Sequence, residues 1–314
     1  TIILLLLFVS VYINLFQSIF ITGIYSQGKL YVGYYITSIL EILSKASIAF
    51  SGIIFDSLIY PAIIYFSYSV VKFFLLFYFF RVHNKNLFFS FKLFSKKILK
   101  KIIKLSIGHT SDIIASIIKH SGLIIVLGIF YDPYIIGYVV TVKTLFYFFP
   151  IRFFSKLDHV SLYEYASLFA EKKFNVIKKN LIGFIKIILI LLLLFIATSI
   201  IIGPFVYNFW LNDKYELGVL FLLLIIFDVV FFTLRHSIIS IFRAINKYML
   251  LGLSELLFSI IALALFYLAL YSGSSYLVGF LIIFFQSIIS LIFSLVFLWF
   301  FFKNKSNMNH KLFL

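Results

Sequence analysis

The chain has 314 residues, of which 63% are hydrophobic and 12% are charged, with a net charge of +16. A soluble domain averages roughly 45–50% apolar and about 25% charged residues, so one water-soluble core cannot bury this excess of apolar side chains. The chain has no cysteine, which excludes disulfides, cysteine-ligated zinc and iron–sulfur clusters. In so apolar a chain the positive charge points to membrane topology rather than to nucleic acid.

Long apolar segments follow one another along the whole chain. Each approaches or exceeds the roughly 20 residues that a hydrocarbon core requires, and such unbroken runs are typical of helices. The sequence therefore predicts an all-α polytopic membrane protein with about nine transmembrane helices, at 2–22, 32–53, 59–80, 105–130, 134–151, 182–203, 217–238, 249–271 and 276–302.

The cationic residues fall on alternate loops. One set of loops holds Lys29, the groups 81–104, 152–179 and 235–247, and the tail, whereas the other set holds only Lys214. Loops rich in Lys and Arg lie on the cytoplasmic side of a membrane. The pattern therefore predicts a multi-pass protein with a cytoplasmic C-terminus, and nine spans then place Thr1 outside.

Two short polar stretches resemble each other, SQGKLYVG at 26–33 and AINKYMLLG at 244–252. One joins the first and second predicted spans and the other joins the seventh and eighth. A repeat every six spans is typical of transporters built from two halves. We therefore expect 1–80 to form the last three spans of an N-terminal half, with three more spans preceding them. We expect 81–104 to be a basic cytoplasmic linker, 105–302 a six-span C-terminal half, and 303–314 a cytoplasmic tail.

The second large cytoplasmic segment, 155–180, has a rough helical apolar face followed by a lysine-rich end. Such a segment fits a separate helix lying in the lipid interface, where anionic headgroups attract lysine. An ordinary solvated loop helix is the other interpretation.

Polar residues in the fourth span share one face of the predicted helix. At 100° per residue they fall within a sector of about 100°, which holds no apolar residue between 109 and 120. A polar stripe on a membrane helix is expected to face a cavity or another helix. The stripe consists of His109, Asp112, Ser116, Lys119 and His120.

Other ionisable residues also lie inside predicted spans. Glu41 and Lys45 are four residues apart in the second span, so the simplest interpretation is a mutually neutralising pair. Lys72 and Lys186 lie near cytoplasmic ends, where their ammonium groups can reach the interface. The remaining residues of this kind are Lys143, Asp228 and Glu255. An intramembrane acid is either a site for H⁺ or Na⁺ coupling or the partner of a buried lysine.

Residues 104–154 resemble the start of the second half of the polysaccharide flippases, a family within the multidrug/oligosaccharidyl-lipid/polysaccharide exporter superfamily. The resemblance rests on the run IIVLGIF, the turn YDP, the stretch IIGYVVTVKTL and the span that ends at Phe149 and Pro150. The loop SIFRAINKYMLLG also fits. One departure is the stretch 119–122, KHSG, where family members often carry an acidic residue.

The resemblance implies a flippase for undecaprenyl-diphosphate-linked oligosaccharide repeat units of O-antigen, capsule or related polymers, working by alternating access in the bacterial inner membrane. The substrate is anionic, which makes Lys119 the first candidate for contact with the diphosphate, beside His120, with Lys143 second. Lys119 could instead pair with an acid on its own or another helix. The remaining substrate-binding candidates are His109, Ser116 and Lys45, and the ion-coupling candidates are Asp112, Asp228, Glu255 and Glu41.

Two other functions remain open, a drug or ion-coupled exporter of the same superfamily and a membrane glycan polymerase. Polymerases typically need a sizeable outside loop, and the longest one here is 204–216. Triad, phosphate-binding-loop and metal signatures are absent from the sequence, so we expect a transporter rather than an enzyme, with no bound cofactor. Arg235, Arg243 and Lys247 are expected to set topology, or else to gather anionic substrate. Expected partners are the lipid-linked substrate, membrane lipids and other polysaccharide-assembly proteins, with no nucleic acid.

Overall fold

The computed structural model describes residues 2–26, 29–55, 57–83, 95–212 and 214–306. Every regular element within these ranges is a helix, and eight of the helices are long and apolar enough to cross a membrane. The chain is therefore an all-α polytopic membrane protein, as its composition predicts.

The chain divides into two compact units, Thr1–Phe94 and Ser95–Leu314. The division falls inside the predicted linker 81–104, of which residues 84–94 lie outside the described residues. The first unit contains α1 (Ile2–Ser26), α2 (Leu30–Ile54) and α3 (Ile59–His83). Phe20 and Ile24 of α1 pack against Leu76 and Phe80 of α3 to form a small apolar core.

Helix α2 is the one predicted span that is not among the eight apolar helices. It has 25 residues, the same length as α1 and α3. The expectation that Glu41 pairs with Lys45 is wrong. A carboxylate oxygen of Glu41 instead lies 3.6 Å from the ammonium nitrogen of Lys72 on α3, because α2 and α3 pack side by side and bring these two side chains together.

The second unit begins with α4 (Lys96–Phe130) and α5 (Pro133–Ala170), each of which contains one π-helical turn. It continues with α6 (Phe174–Ile201), the short α7 (Gly203–Leu211), α8 (Val219–Ala244), α9 (Met249–Tyr271) and α10 (Tyr276–Ser306). Helix α8 is the most enclosed of the apolar helices, with half of its most hydrophobic stretch buried, and it packs against α5, α6 and α10. Polar residues on α8 are therefore positioned inside the unit.

The backbones of α4 and α9 touch at a pair of glycines. A Cβ atom on Gly108 would lie 2.6 Å from the Cα atom of Met249, and one on Gly252 would overlap the carbonyl oxygen of Gly108. Small residues permit such close approach between membrane helices. This contact fixes α4 against α9 one helical turn before Asp112.

The predicted interfacial helix at 155–180 is not a separate element. Helix α5 continues without a break to Ala170, and α6 begins at Phe174, well before the predicted start at 182. The segment lacks a turn signal between 151 and 170, since Pro150 lies in the first turn after the π-helical segment and does not end the helix. The predicted outside loop 204–216 likewise contains α7.

Helices α5 and α8 end in the same way. Asn246 adopts a left-handed conformation with φ 55°, and the amide nitrogen of Lys247 lies 2.9 Å from the carbonyl oxygen of Phe242. Lys172 closes α5 through the equivalent bonds, with φ 59°. Such caps satisfy the last carbonyl groups of a helix. Residues 27 and 28 of the first polar stretch, and 307–314 of the predicted tail, lie outside the described residues.

Candidate functional site

A cavity of about 340 Å³ lies within the second unit, between α4, α5, α8 and α9. We call it the polar cavity. Its wall combines basic, acidic and imidazole side chains inside a bundle of membrane-crossing helices, where each ionisable group is costly to insert. The lining includes Lys119, Arg235, Arg243, Asp112, Asp158, Glu255, His109, His120, His159 and His236.

All five residues of the predicted stripe on α4 line the polar cavity, namely His109, Asp112, Ser116, Lys119 and His120. Ile113 and Ile117 line it as well, so the wall is wider than the predicted polar sector. The inference that the stripe faces a cavity is confirmed.

Arg235 joins two helices at the centre of the site. One guanidinium nitrogen lies 3.3 Å from Asp112 of α4 and 3.2 Å from Glu255 of α9. The side chain of Arg235 is 3% exposed. The predictions that Arg235 sets topology or gathers anionic substrate stay untested. The structure buries the residue inside α8, between Asp112 and Glu255.

Arg243, two turns further along α8, bonds to the second oxygen of Asp112 at 2.7 Å. The same guanidinium group donates to the hydroxyl of Tyr248 at 3.4 Å. Burial, and then the charge of Asp112, raise the pKa of Tyr248, so its phenol keeps its proton. Asp112 thus pairs with two arginines. Through Arg243, which bonds to both Asp112 and Tyr248, the turn between α8 and α9 is connected to α4.

Each of these arginines keeps one buried donor free. Nε of Arg235 and Nε of Arg243 make no hydrogen bond to any described group. A buried N–H without a partner costs about 1–3 kcal/mol, which the ion pairs of each arginine must offset.

Lys119 is neutralised within the bundle. Its ammonium nitrogen lies 2.9 Å from Asp228 of α8 and 2.5 Å from Ser287 of α10, and Ser287 also bonds to Asp228. The prediction that Lys119 contacts a diphosphate stays untested. The described contacts match the other interpretation, in which an acid on a neighbouring helix is its partner.

Lys143 lies in a second, smaller cluster. Its ammonium nitrogen is 3.3 Å from Nδ1 of His120, and Nε2 of the same ring is 3.0 Å from the hydroxyl of Tyr147. A cavity of about 10 Å³, room for about one water molecule, is lined by Lys143 and His120 together with Lys119 and Asp228. Lys143 has no carboxylate within 4 Å among the described residues.

Both π-helical turns meet at this cluster. Lys119 and His120 belong to the turn Ile118–Gly122, and Lys143 directly precedes the turn Thr144–Phe148, which contains Tyr147. A π-helical turn inserts one extra residue into an α-helix and is frequent at functional sites. Two such turns therefore set the rotation of the side chains that surround the small cavity.

Glu255 is held by α10 as well as by Arg235. Gln286 donates to one of its oxygens at 3.0 Å, and Ser290 bonds to the other. Of the predicted ion-coupling residues, Asp112 and Glu255 line the polar cavity and Asp228 lines the small one. Glu41 and the substrate-binding candidate Lys45 belong to the first unit and are not among the lining residues.

Asp158 and the histidines of α5 and α8 are the site residues that sequence reasoning missed. Sequence reasoning missed Asp158 because it predicted 155–180 to be an interfacial segment. The polar residues of α8 could have been found from their spacing in the sequence. At 100° per residue, Asp228, Arg235, His236 and Arg243 fall within a sector of about 100°, which marks a polar stripe facing that of α4.

The imidazole and carboxyl groups of the polar cavity do not form a metal centre. Within the described ranges no group of three or more His, Asp or Glu residues has the arrangement needed to hold a metal ion. The site is a network of ion pairs and hydrogen bonds around the polar cavity, whose volume of about 340 Å³ is large enough for part of a ligand.

Searches against profiles of known families, against curated proteins and against solved structures find no match for this chain.

Proposed function

We propose that the chain is a flippase that carries a diphosphate-linked oligosaccharide lipid across the bacterial inner membrane, with the C-terminus in the cytoplasm. The observation that carries the proposal is the polar cavity, whose wall includes two arginines, Arg235 and Arg243, between helices that are apolar enough to cross a membrane. Guanidinium groups bind phosphate oxygens through paired, charge-assisted hydrogen bonds.

The location of the cavity supports a transport role. It lies between helices that are long and apolar enough to cross the membrane, so a charged headgroup bound there is shielded from hydrocarbon. Moving a phosphate through hydrocarbon without such partners costs far more free energy than any lipid motion supplies. The bound partners are then the lipid-linked substrate and the surrounding membrane lipids, together with the proteins that assemble the polymer.

Reconstituted liposomes test this function directly. The purified chain is incorporated with a fluorescent isoprenyl-diphosphate glycolipid, and an impermeant reductant measures how much of the label changes leaflet. We expect transfer with the native chain and a loss of about tenfold or more in Arg243→Gln, because one charge-assisted bond contributes about 1.5–3 kcal/mol.

Lys100→Gln is the matched control. Lys100 is an exposed residue of α4 outside the polar cavity, and its substitution removes the same single charge. Equal losses in both variants, or no transfer by the native chain above protein-free liposomes, would contradict the proposed function.

A drug exporter is the second candidate, and Asp158 is the observation that favours it. A cavity carboxyl with no cationic partner within 4 Å among the described residues, with Phe232 also on the wall, suits an organic cation. Accumulation of a cationic dye in the same liposomes separates the two functions, since a flippase for anionic lipids leaves the dye gradient unchanged.

A further inference from the structure

Asp158 differs from the other carboxyl groups of the polar cavity in its partners. The residue is 6% exposed, and the hydroxyl of Ser237 donates to Oδ1 at 2.9 Å. No cationic group within the described ranges lies within 4 Å of it. Arg243 attracts Asp158 electrostatically, yet its guanidinium group bonds to Asp112.

The remaining charges near the cavity are already paired. Arg235 and Arg243 face Asp112 and Glu255, and Lys119 faces Asp228. Lys143 cannot neutralise Asp158, because fifteen residues separate them on one helix, or roughly 22 Å at 1.5 Å per residue. An ionised Asp158 therefore adds an uncompensated negative charge to the wall.

That charge opposes the ligand class of the proposed function. A diphosphate near Arg243 would experience repulsion from the Asp158 carboxylate in a site of low dielectric constant. A protonated Asp158 removes the repulsion and adds an O–H donor for a phosphate oxygen. In this step the carboxylate takes one proton from a hydronium ion of the solvent, which becomes water, and no other covalent bond changes.

We infer that Asp158 is a proton-binding site that is linked to the anion site at Arg235 and Arg243, so that a proton and an anionic headgroup bind together. The inference rests on the proposed function and adds a coupling residue to it. By linkage, the proton strengthens anion binding by the same factor as the anion strengthens proton binding.

Other titratable and charged groups also face Asp158. Helix α6 packs against α5 but contributes no residue to the cavity wall. The four cavity histidines would also strengthen anion binding at low pH, so pH dependence by itself does not identify Asp158. The titratable and charged groups are His109, Asp112, Lys119 and His120 on α4, His159 and Tyr165 on α5, Arg235, His236 and Arg243 on α8, and Glu255 on α9.

The experiment measures binding of farnesyl diphosphate to the full chain in nanodiscs between about pH 5 and pH 8. We expect the native affinity to fall as pH rises, by up to about tenfold per pH unit, because one proton is taken up on binding. Asp158→Asn mimics the protonated residue. It should bind tightly at the upper end of the range and lose most of the pH dependence. Protonation of the probe affects all variants equally.

Two further variants make the test specific. Glu164→Gln, the same change of a carboxylate to an amide at an exposed residue of α5 outside the polar cavity, should keep the pH dependence of the native chain. Ser237→Ala removes the bond to the ionised carboxyl and should move the dependence to higher pH without abolishing binding. A pH dependence in Asp158→Asn equal to that of the native chain overturns the linkage. Absence of farnesyl diphosphate binding at every pH overturns both the linkage and the proposed anion site.

Discussion

Arg235 is the residue on which the ion-pair network depends. Its guanidinium group is the shared partner of Asp112 and Glu255, and it is 3% exposed. Its substitution leaves one carboxylate, that of Glu255, with no cation within 4 Å among the described residues, whereas Asp112 retains Arg243. A buried charge without a partner is far more costly than a buried pair.

Arg235→Met is expected to destabilise the chain by about 3–5 kcal/mol, the cost of breaking a buried ion pair. Thermal unfolding of the purified protein in detergent measures the loss. Glu255→Gln combined with Arg235→Met should recover much of it, because the double variant buries no orphaned carboxylate. Failure of the second substitution to recover stability would show that Arg235 acts mainly through packing.

Lys119 and Asp228 offer a test of whether Lys119 is structural or binds ligand. A double-mutant cycle of Lys119→Met and Asp228→Asn isolates their interaction free energy. We expect each single variant to be destabilised and the double variant to be more stable than the sum predicts, since the two groups neutralise each other at 2.9 Å. Additive losses, with weaker farnesyl diphosphate binding in Lys119→Met alone, would instead favour a direct contact with the anion.

Some features of the site can be predicted from the sequence, and others depend on how the helices pack. Helical periodicity identified the stripe on α4 because the position of a side chain around its own helix is a local property. It did not identify Asp228 as the partner of Lys119, since a contact between residues so distant in sequence depends on how helices pack. The π-helical turn at Ile118–Gly122 also changes the rotation of Lys119 in a way that a uniform 100° per residue does not include.

At the scale of elements, the close contact between α4 and α9 positions the two helices that carry Asp112 and Glu255 in the wall of the polar cavity. Gly108 lies one turn before Asp112 on α4, and Gly252 lies close to one turn before Glu255 on α9. Both acids bond to Arg235, so separation of these two helices would lengthen both bonds. The glycine contact and the ion pairs therefore support one another.

Gly252→Ala is expected to destabilise the chain by more than 1 kcal/mol, because the new methyl group overlaps the backbone of Gly108 and the helices must move apart. Gly183→Ala is the matched control. Gly183 also lies inside a helix, but a Cβ atom there meets nothing within 4 Å, so the substitution should be neutral or stabilising by up to about 1 kcal/mol. Thermal unfolding compares the two, and equal effects would contradict the close contact.

Element boundaries were harder to predict than element type. The long apolar runs identify helices because every backbone group in lipid must bond within its own segment. The same runs do not show where a helix continues into polar sequence, and α5 extends to Ala170, far beyond the apolar stretch that ends near 151. This extension is amphipathic, since Asp158 and Ser161 are buried in the bundle whereas Arg152, Lys156 and Glu164 are exposed, and Ser237 of α8 bonds to Asp158.

For the whole molecule, the number of membrane crossings determines on which side each loop lies. Eight helices meet the length and hydropathy expected of spans, and α2 is the remaining helix of comparable length. The alternation of basic loops predicts that α2 crosses as well, because Lys29 and the group beginning at Arg81 then lie on the same side. The Glu41–Lys72 pair lowers the cost of placing α2 in a membrane.

Single-cysteine labelling can resolve the topology, since the native chain has no cysteine to give background. We expect Ser57→Cys, between α2 and α3, and Glu216→Cys, before α8, to react with a membrane-impermeant maleimide in intact cells. Lys29→Cys, between α1 and α2, and Lys172→Cys, between α5 and α6, should react only after the membrane is permeabilised. If Lys29→Cys and Ser57→Cys show the same accessibility, α2 does not cross, and the prediction of nine spans is wrong. If Lys172→Cys reacts in intact cells, the turn between α5 and α6 lies outside, and the orientation predicted from the basic loops, with a cytoplasmic C-terminus, is reversed.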